Sequence, residues 1–343
     1  MMKGSESTNE LQLVLSGDPE KVTLGDWLED WLEHIIRPNR EDTTYYGYKG
    51  IVRNHMVPAM GRVPLLKLEP RRIQAYYSWL RMERRLSANT VYKHHILLHT
   101  ALKTAFKQGF LPGNPVDRVE APRLAPPRQS YYNTSQLRAL LRAVRGHRLE
   151  LVVRLAGCLG LRRSEICGLK WENVDLEGEV IYIRDVLTTA GGSVVAKQPK
   201  TPHSIRKLGV AGLKELQTLL RRERMRQLQC AMRMEEWVDS GYVIVRWNGA
   251  PTDPNQVTFD FHNFLEKNEL PLVTIHGLRH TFASLANSAH VPLLDIGKTL
   301  GHKDSVITGR VYTHIFDQTH QEVISSVSAC IAEVRTPPAA GRA

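Results

Sequence analysis

Basic and proton-carrying side chains are concentrated near the carboxyl end of the sequence. His276 and Arg279 are three residues apart, which places them on one face of a helix. His302 follows an apolar helical pattern, and Tyr312 comes ten residues after it. No acidic cluster that would hold a metal accompanies them. Guanidinium and imidazole groups gathered around one phenol suit a phosphate that is attacked by the tyrosine oxygen.

Attack on a phosphodiester needs a nucleophile, cations for the non-bridging oxygens and a proton donor for the leaving oxygen. Arginine binds non-bridging oxygens bidentately, and lysine or histidine supplies the proton. A free phenol has a pKa of about 10, and neighbouring arginine and protonated histidine favour its ionised form. Tyr312 is the only tyrosine after Tyr242, so this segment has a single candidate nucleophile.

The overall charge agrees with a polyanionic substrate. The sequence holds 46 Lys and Arg against 35 Asp and Glu, a formal net charge of +11. Nucleic acid is favoured over a membrane because no strongly apolar run of 18 residues occurs, although charge alone leaves open a basic protein with no nucleic-acid role. The four cysteines lack zinc-type spacing, and the polar N-terminus lacks a signal-peptide core. We therefore expect a cytoplasmic protein without a metal or other cofactor.

Length and composition predict two domains joined by a stiff linker. Apolar residues recur at helical spacing from Val22 onward, with breaks at Pro38 and Pro58, which indicates a small helical bundle. A proline-rich basic stretch then interrupts the pattern. The predicted divisions are a tail (1–20), a DNA-binding helical domain (21–120), a linker (121–130), a catalytic domain (131–335) and a disordered tail (336–343).

The helical domain is rich in basic residues and in side chains that hydrogen-bond phosphates or base edges. A solvated charged face is the simpler interpretation for any single residue. For the whole bundle in so basic a chain, we favour a DNA-facing surface. Its candidate DNA contacts are Arg71, Arg72, Asn89, Thr90, Lys93 and His94.

The second domain alternates helical patterns with a short run of strands. Thr134 is the expected N-cap of its first helix, and strand signals follow from Glu179 to Val210 with turns at Gly191 and near Lys200. The predicted fold class is mainly α with a small antiparallel β-sheet, an α+β domain that follows an N-terminal helical bundle. Lys200 lies at or near the predicted hairpin tip, and Lys197 and Lys207 are nearby alternatives for a functional lysine in this segment.

Five short motifs, in order, resemble those of the tyrosine recombinases, or phage-type integrases. The resemblance covers roughly residues 22–325 and implies a DNA-clamping recombinase with an N-terminal SAM-like core-binding domain and a tyrosine-recombinase catalytic domain. The motifs are Gly160-Leu-Arg162-x-Ser-Glu165, Lys200-Thr with Ser204-x-Arg206, His276-x-Leu-Arg279-His280, Leu300-Gly-His302 and Tyr312-x-His314.

The resemblance also implies a role for each matching residue. Arg162 and Arg279 look like the arginines that clamp the scissile phosphate, and Lys200 like the lysine that protonates the departing 5′ oxygen. His276 and His302 look like the pair that assists proton transfer. Tyr312 looks like the nucleophile that forms a 3′-phosphotyrosyl bond, without metal or ATP. Glu165 resembles the acidic residue that supports the first arginine.

For partners, the resemblance implies double-stranded DNA recombination sites, a homotetramer on DNA, and accessory DNA-bending or directionality factors. A mobile genetic element is the expected context. The alternatives are a type IB topoisomerase with the same phosphotyrosine chemistry and a DNA-binding regulator that has lost catalysis. A metal nuclease is disfavoured because no paired acidic motif accompanies the basic cluster.

Overall fold

The computed structural model describes residues 21–124, 131–199 and 201–301. The chain divides into two compact units, one made mainly of residues up to 128 and the other mainly of residues from 129. The predictions for Lys200, His302 and Tyr312, and for both terminal tails, concern positions outside the described residues. Within those residues, no helix combines the length and the apolar character that crossing a membrane requires.

The N-terminal unit is a bundle of four main helices. The first begins after Thr23, whose side chain accepts a hydrogen bond from the Asp26 amide while the Asp26 carboxylate accepts one from Thr23. The helices are α1 (Leu24–Asp30, extended by Trp31–Ile36 and Arg37–Asn39), α2 (Asp42–Ile51, extended by Val52–Met56 and Val57–Met60), α3 (Pro70–Met82) and α4 (Ala88–Lys107).

Pro38 and Pro58 do not end their helices, contrary to the expectation from the sequence. Each follows a π-helical segment, Trp31–Ile36 or Val52–Met56, and lies in a short α-helical continuation. Proline offers no amide to an intrahelical bond, and a wider turn accommodates its ring against the preceding residues. Both helices therefore continue beyond the proline.

The core of this bundle is built from the apolar stripe that the sequence indicates. Trp27 and Trp31 are fully buried, and the Trp27 indole donates to the Ala101 carbonyl at 3.1 Å, which ties α1 to α4. The ring of Trp27 also contacts Phe110. These tryptophans are packing residues that hold the helices together.

The C-terminal unit places a small set of strands among seven helices of its described part. Its helices are α5 (Thr134–Ala143), α6 (Glu150–Leu159), α7 (Arg163–Cys167), α8 (Lys214–Arg233), α9 (Pro254–Lys267), α10 (Ile275–Ser288) and α11 (Leu293–Leu300). The predicted N-cap of α5 was one residue off, because Asn133 caps the helix through a capping box with Gln136.

The strands form two small antiparallel groups. They are β1 (Val174–Asp175), β2 (Val180–Ile183), β3 (Val186–Ala190), β4 (Ser193–Lys197) and β5 (Arg206–Gly209). β2 lies between β1 and β5, and Ile183 pairs with Arg206, while β3 and β4 form a separate ribbon. The mainly helical fold with small antiparallel sheets confirms the predicted fold class.

Two packing arrangements bring the site together. α10 packs against the largely apolar α6, which is buried along most of its length. Ile296 and Leu300 of α11 form a small core with Ala283 and Phe282 of α10. The C-terminal ends of α6 and α11 are thereby held beside the first turns of α10.

Candidate functional site

Two helix ends with left-handed glycines frame the site. Gly160 follows α6 with φ of 65°, and Gly301 follows α11 with φ of 69°. Glycine adopts this conformation without a Cβ penalty, so it commonly ends a helix. A Cβ on Gly160 would lie 2.6 Å from Leu300 and 2.8 Å from Phe282. The tight approach of α6 to α10 and α11 therefore requires glycine at this position.

Arg279 spans these two helix ends from inside the protein. It is 1% exposed; one terminal nitrogen donates to the Gly160 carbonyl at 2.7 Å and the other to the Leu300 carbonyl at 2.7 Å. Both carbonyls lie at the negative ends of helix dipoles, which favour a cation. The position of the Arg279 guanidinium is thus set by backbone oxygens of two helices.

Arg162 is the more open of the two arginines, with its side chain 32% exposed. It is the N-cap residue of α7; its guanidinium donates to Glu165 at 2.7 Å and to the Gly301 carbonyl at 3.2 Å. Arg162 and Arg279 therefore hold adjacent carbonyls, those of Gly301 and Leu300. The two predicted phosphate ligands meet at the same helix end.

Glu165 is buried, at 1% exposure, and four donor groups surround it. Its carboxylate accepts from the Arg162 amide and guanidinium and from two nitrogens of Arg206. Burial acts to raise the pKa of this carboxyl, but hydrogen bonding and charge from Arg206 and the charge of Arg162 outweigh it and lower the pKa. Glu165 therefore remains ionised at neutral pH.

His276 lies in the first turn of α10, whose N-cap is Thr274. Burial, followed by the charges of Arg279 and Arg162, lowers the pKa of His276, so its imidazole is neutral at physiological pH. Its ring meets that of His280 edge to face, with 4.6 Å between centroids. Burial, then His276 and Arg279, lower the pKa of His280 to about 4. The guanidinium groups of both arginines therefore act on the imidazole of His276.

Of the predicted catalytic group, the structure brings together Arg162, Glu165, His276 and Arg279. Arg206 was quoted in the sequence motif without a role, yet it contacts Glu165 directly. The signal was its place in the motif that begins at Lys200. In the described residues no group of three or more His, Cys, Asp or Glu side chains could hold a metal ion.

The predicted DNA contacts of the N-terminal unit divide by exposure. Arg71, Arg72 and Lys93 are exposed, and Asn89 and Thr90 are half-buried in the first turn of α4. His94 is a correction: it is 1% exposed, and its ring nitrogen is hydrogen-bonded to the Tyr76 hydroxyl at 2.8 Å. Its position on α4 faces the core, so the side chain is not available to DNA.

Two family models match the chain. The model described as the phage integrase family covers residues 131–319, and the model described as the phage integrase N-terminal SAM-like domain covers residues 23–81. The first match alone extends over more than half of the sequence. It contains every position of the predicted catalytic group.

Curated relatives match over most of their length. A tyrosine recombinase XerC-like protein of Caldanaerobacter subterraneus is 25% identical over 350 aligned residues, covering 95% of this chain and 88% of the relative. An integrase of Streptomyces ambofaciens is 26% identical, covering 90% of this chain and 82% of the relative. Both alignments span the two units.

Solved structures show the same fold. The integrase of transposon Tn1549, in complex with a circular intermediate DNA, superposes with a TM-score of 0.72 at 19% identity, covering 90% of this chain and all of the other. A lambda integrase tetramer bound to a Holliday junction gives 0.64 at 18% identity, covering 90% of this chain and 81% of the other. Both structures are DNA complexes of integrases.

Proposed function

Because the chain belongs to the phage integrase family, whose members cleave and rejoin DNA, we propose that Arg162 and Arg279 bind the phosphate that Tyr312 attacks. The chain is a site-specific recombinase. The observation that carries the residue assignment is the meeting of both guanidinium groups at the carbonyls of Leu300 and Gly301.

The proposed reaction is a transesterification. The Tyr312 hydroxyl oxygen forms a bond to phosphorus, the bond to the 5′ oxygen breaks, and a 3′-phosphotyrosyl link results. Arg162 and Arg279 stabilise the charge on the non-bridging oxygens, as preorganised cations do. Lys200 gives its proton to the departing 5′ oxygen. A 5′-hydroxyl of a second DNA strand then reverses the step and rejoins the backbone.

His276 and His302 serve proton transfer in this scheme. The neutral imidazole that burial and the two arginines impose on His276 is able to accept a proton. A bound phosphate brings negative charge beside His276, which raises its pKa and favours the protonated form. His276 is therefore suited to take the phenolic proton as the covalent bond forms.

The proposed substrate is a pair of double-stranded DNA recombination sites, at which four copies assemble. Solved relatives support both points, since one is a tetramer bound to a Holliday junction. Accessory DNA-bending or directionality factors are further proposed partners, and the cytoplasm is the proposed location. Similar proteins include the integrase of transposon Tn1549 and that of Staphylococcus phage L54a, which favours a mobile element as the source.

A nicked suicide duplex tests the chemistry. Duplexes that carry the sequences flanking the gene are incubated with protein, and covalent adducts are separated under denaturing conditions. We expect an adduct that forms in EDTA and is absent with Tyr312→Phe, because the phenolic oxygen is the nucleophile. Phenylalanine removes only that oxygen, so DNA binding serves as the internal control.

Two results would contradict the proposal. An adduct that persists with Tyr312→Phe would move the nucleophile to another residue. Cleavage that EDTA abolishes would assign the reaction to a metal. Relaxation of supercoiled plasmids that lack any recombination site would instead favour the alternative, a type IB topoisomerase.

A further inference from the structure

Three arginines, Arg162, Arg206 and Arg279, contact Glu165 or the end of α11. The side chain of Arg206 is much less exposed than that of Arg162. Its side chain is 7% exposed, and two of its nitrogens donate to the two carboxylate oxygens of Glu165, at 3.0 and 2.8 Å. Arg162 donates to the same carboxylate from its backbone and its side chain. One buried anion is therefore shared between an arginine at the site and an arginine from β5.

Arg206 also reaches α11. Its Nε donates to the Thr299 carbonyl at 2.7 Å, and Nη1 donates to its near neighbour, the Ser204 carbonyl, at 3.1 Å. Four of the five guanidinium hydrogens are thus engaged within the protein. With 7% exposure, Arg206 has little surface left for DNA.

Three consecutive carbonyls at the end of α11 each accept from a different arginine. Thr299 accepts from Arg206, while Leu300 and Gly301 accept from Arg279 and Arg162 respectively. This is the negative end of the helix dipole, which favours cations. The residue that comes next in the chain is His302.

We propose that Arg206 is a positioning residue for recombination, which acts through Glu165 and the Thr299 carbonyl to hold Arg162 and the end of α11 in register. The inference rests on the proposed function, since it requires Arg162 to act on the phosphate. A guanidinium fork is needed because it binds two carboxylate oxygens and a carbonyl at once, which lysine cannot do. Without the Arg206 guanidinium, the buried Glu165 carboxylate has one cationic partner instead of two. The position of the Arg162 guanidinium then shifts.

Single-turnover cleavage of the suicide duplex, at saturating protein, tests this role. We expect Arg206→Gln to slow adduct formation by about 100-fold, the loss that a misplacement of roughly 1 Å can cause. The dissociation constant for the same duplex should stay within about twofold, because the Arg206 side chain is almost entirely enclosed by protein. Arg206→Lys keeps the charge and recovers part of the rate.

A double-variant cycle separates positioning from a general structural role. Arg206 and Glu165 act as a unit, so Arg206→Gln combined with Glu165→Gln cleaves no more slowly than the slower single variant. The double variant also removes the buried charge together with its partner, so it remains informative if Arg206→Gln fails to fold. Arg226→Gln is the matched control, since Arg226 pairs bidentately with Glu223 on the exposed side of α8. It should cleave at the wild-type rate.

Three outcomes overturn the inference. These are a wild-type rate for Arg206→Gln, single effects that multiply in the double variant, and weakened DNA binding with an unchanged cleavage rate. Absence of any adduct with the wild-type protein would overturn the proposed function and this inference with it. The rate of Arg206→Gln, compared with that of an active wild-type protein, therefore tests the role of Arg206 independently of the proposed phosphotyrosine chemistry.

Discussion

Each arginine at the site is distinguished by what it contacts. Arg279 is buried and held by main-chain oxygens, whereas Arg162 is partly exposed and shares a carboxylate with Arg206. The resemblance of the sequence motifs predicts that Arg279 and Arg162 bind phosphate. The motifs do not reveal burial or the partner of Glu165, because those depend on where β5 and α11 come to lie.

Histidine on α4 shows how residue type alone misleads. His94 lies between basic residues in sequence, but helical spacing turns it inward onto Tyr76 and beside His55, 5.1 Å between ring centroids. Its exposed neighbour Lys93 faces solvent. Periodicity could have predicted this, because positions 91, 94 and 98 of α4 share the buried face.

Acid should destabilise the N-terminal unit through His94. Burial, followed by the charge of His55, lowers the pKa of His94 from 6.5 to about 4. The fold therefore favours the neutral ring. The contribution of His94 to the stability of the folded state is fully present above pH 6.5 and is lost as the pH falls from 6.5 towards about 4. A shift of this size corresponds to about 3 kcal/mol of unfolding free energy.

Hydrogen exchange in peptides of α3 and α4 measures this effect between pH 7.5 and 4.5. After correction for the intrinsic exchange rate, protection should fall as the pH falls in the wild type and less steeply in His94→Gln, whose uncharged amide can also hydrogen-bond the Tyr76 hydroxyl. His262→Gln, in an exposed part of α9, should follow the wild type. Equal slopes in all three proteins would contradict the assignment.

At the scale of elements, helix starts follow from local capping chemistry. The Thr23 and Ser87 side chains cap α1 and α4, and Asn133 caps α5 one residue before the predicted Thr134, since a cap depends on only a few neighbouring residues. The continuation of α1 and α2 past proline was not predicted, because a π-helical segment leaves no plain signature in composition. The pairing of β2 with β5 was also not predictable from local sequence, because the paired residues Ile183 and Arg206 are 23 positions apart.

The turn after α11 offers a test at this scale. Gly301 has φ of 69°, and a Cβ there would lie 3.1 Å from Arg206 and from the His203 carbonyl. Gly146 has φ of 76° with no atom within 4 Å of a Cβ. We expect both alanine variants to lose about 1 kcal/mol of stability from the left-handed backbone.

Only Gly301→Ala should also slow cleavage, because its new methyl group displaces Arg206 and the carbonyl that Arg162 holds. Urea unfolding measures the loss of stability that both variants share. Cleavage of the suicide duplex measures the loss of rate expected only for Gly301→Ala. If Gly146→Ala slowed cleavage as much as Gly301→Ala, the effect would belong to stability and not to the site.

At the scale of the molecule, the positive charge was predictable and the family match agrees with its interpretation. A net charge of +11 indicated a polyanion, and the chain belongs to a family that acts on DNA. The order of the motifs predicted the chemistry because the candidate functional residues lie in short segments whose residue types and spacing can be read directly, whereas overall composition indicates only the class of partner. The boundaries between predicted domains stay a prediction.

DNA affinity should fall steeply with salt, since phosphate contacts release counterions. Lys93, near the N-terminal end of α4, is predicted to contact phosphate, whereas Lys107 lies 14 residues away, roughly 21 Å along the helix. Lys93→Gln should lower the slope of log K against log salt by about 1, and Lys107→Gln should change it less.

Binding titrations between about 50 and 200 mM salt provide the slopes. Equal effects of Lys93→Gln and Lys107→Gln would show that charge acts without regard to position on α4. A flat response of the wild-type protein would remove the DNA-facing role of the helical bundle.

Peptide oxygens, unlike carboxylates, carry no net charge. The contacts of Arg279 with Gly160 and Leu300, and that of Arg162 with Gly301, therefore fix these side chains without placing a further anion on them, although Arg162 also pairs with the Glu165 carboxylate. An oxyanion that arrives need not displace an anionic competitor from those three hydrogen bonds. Inorganic sulfate and vanadate should accordingly compete with DNA for the same pair of arginines.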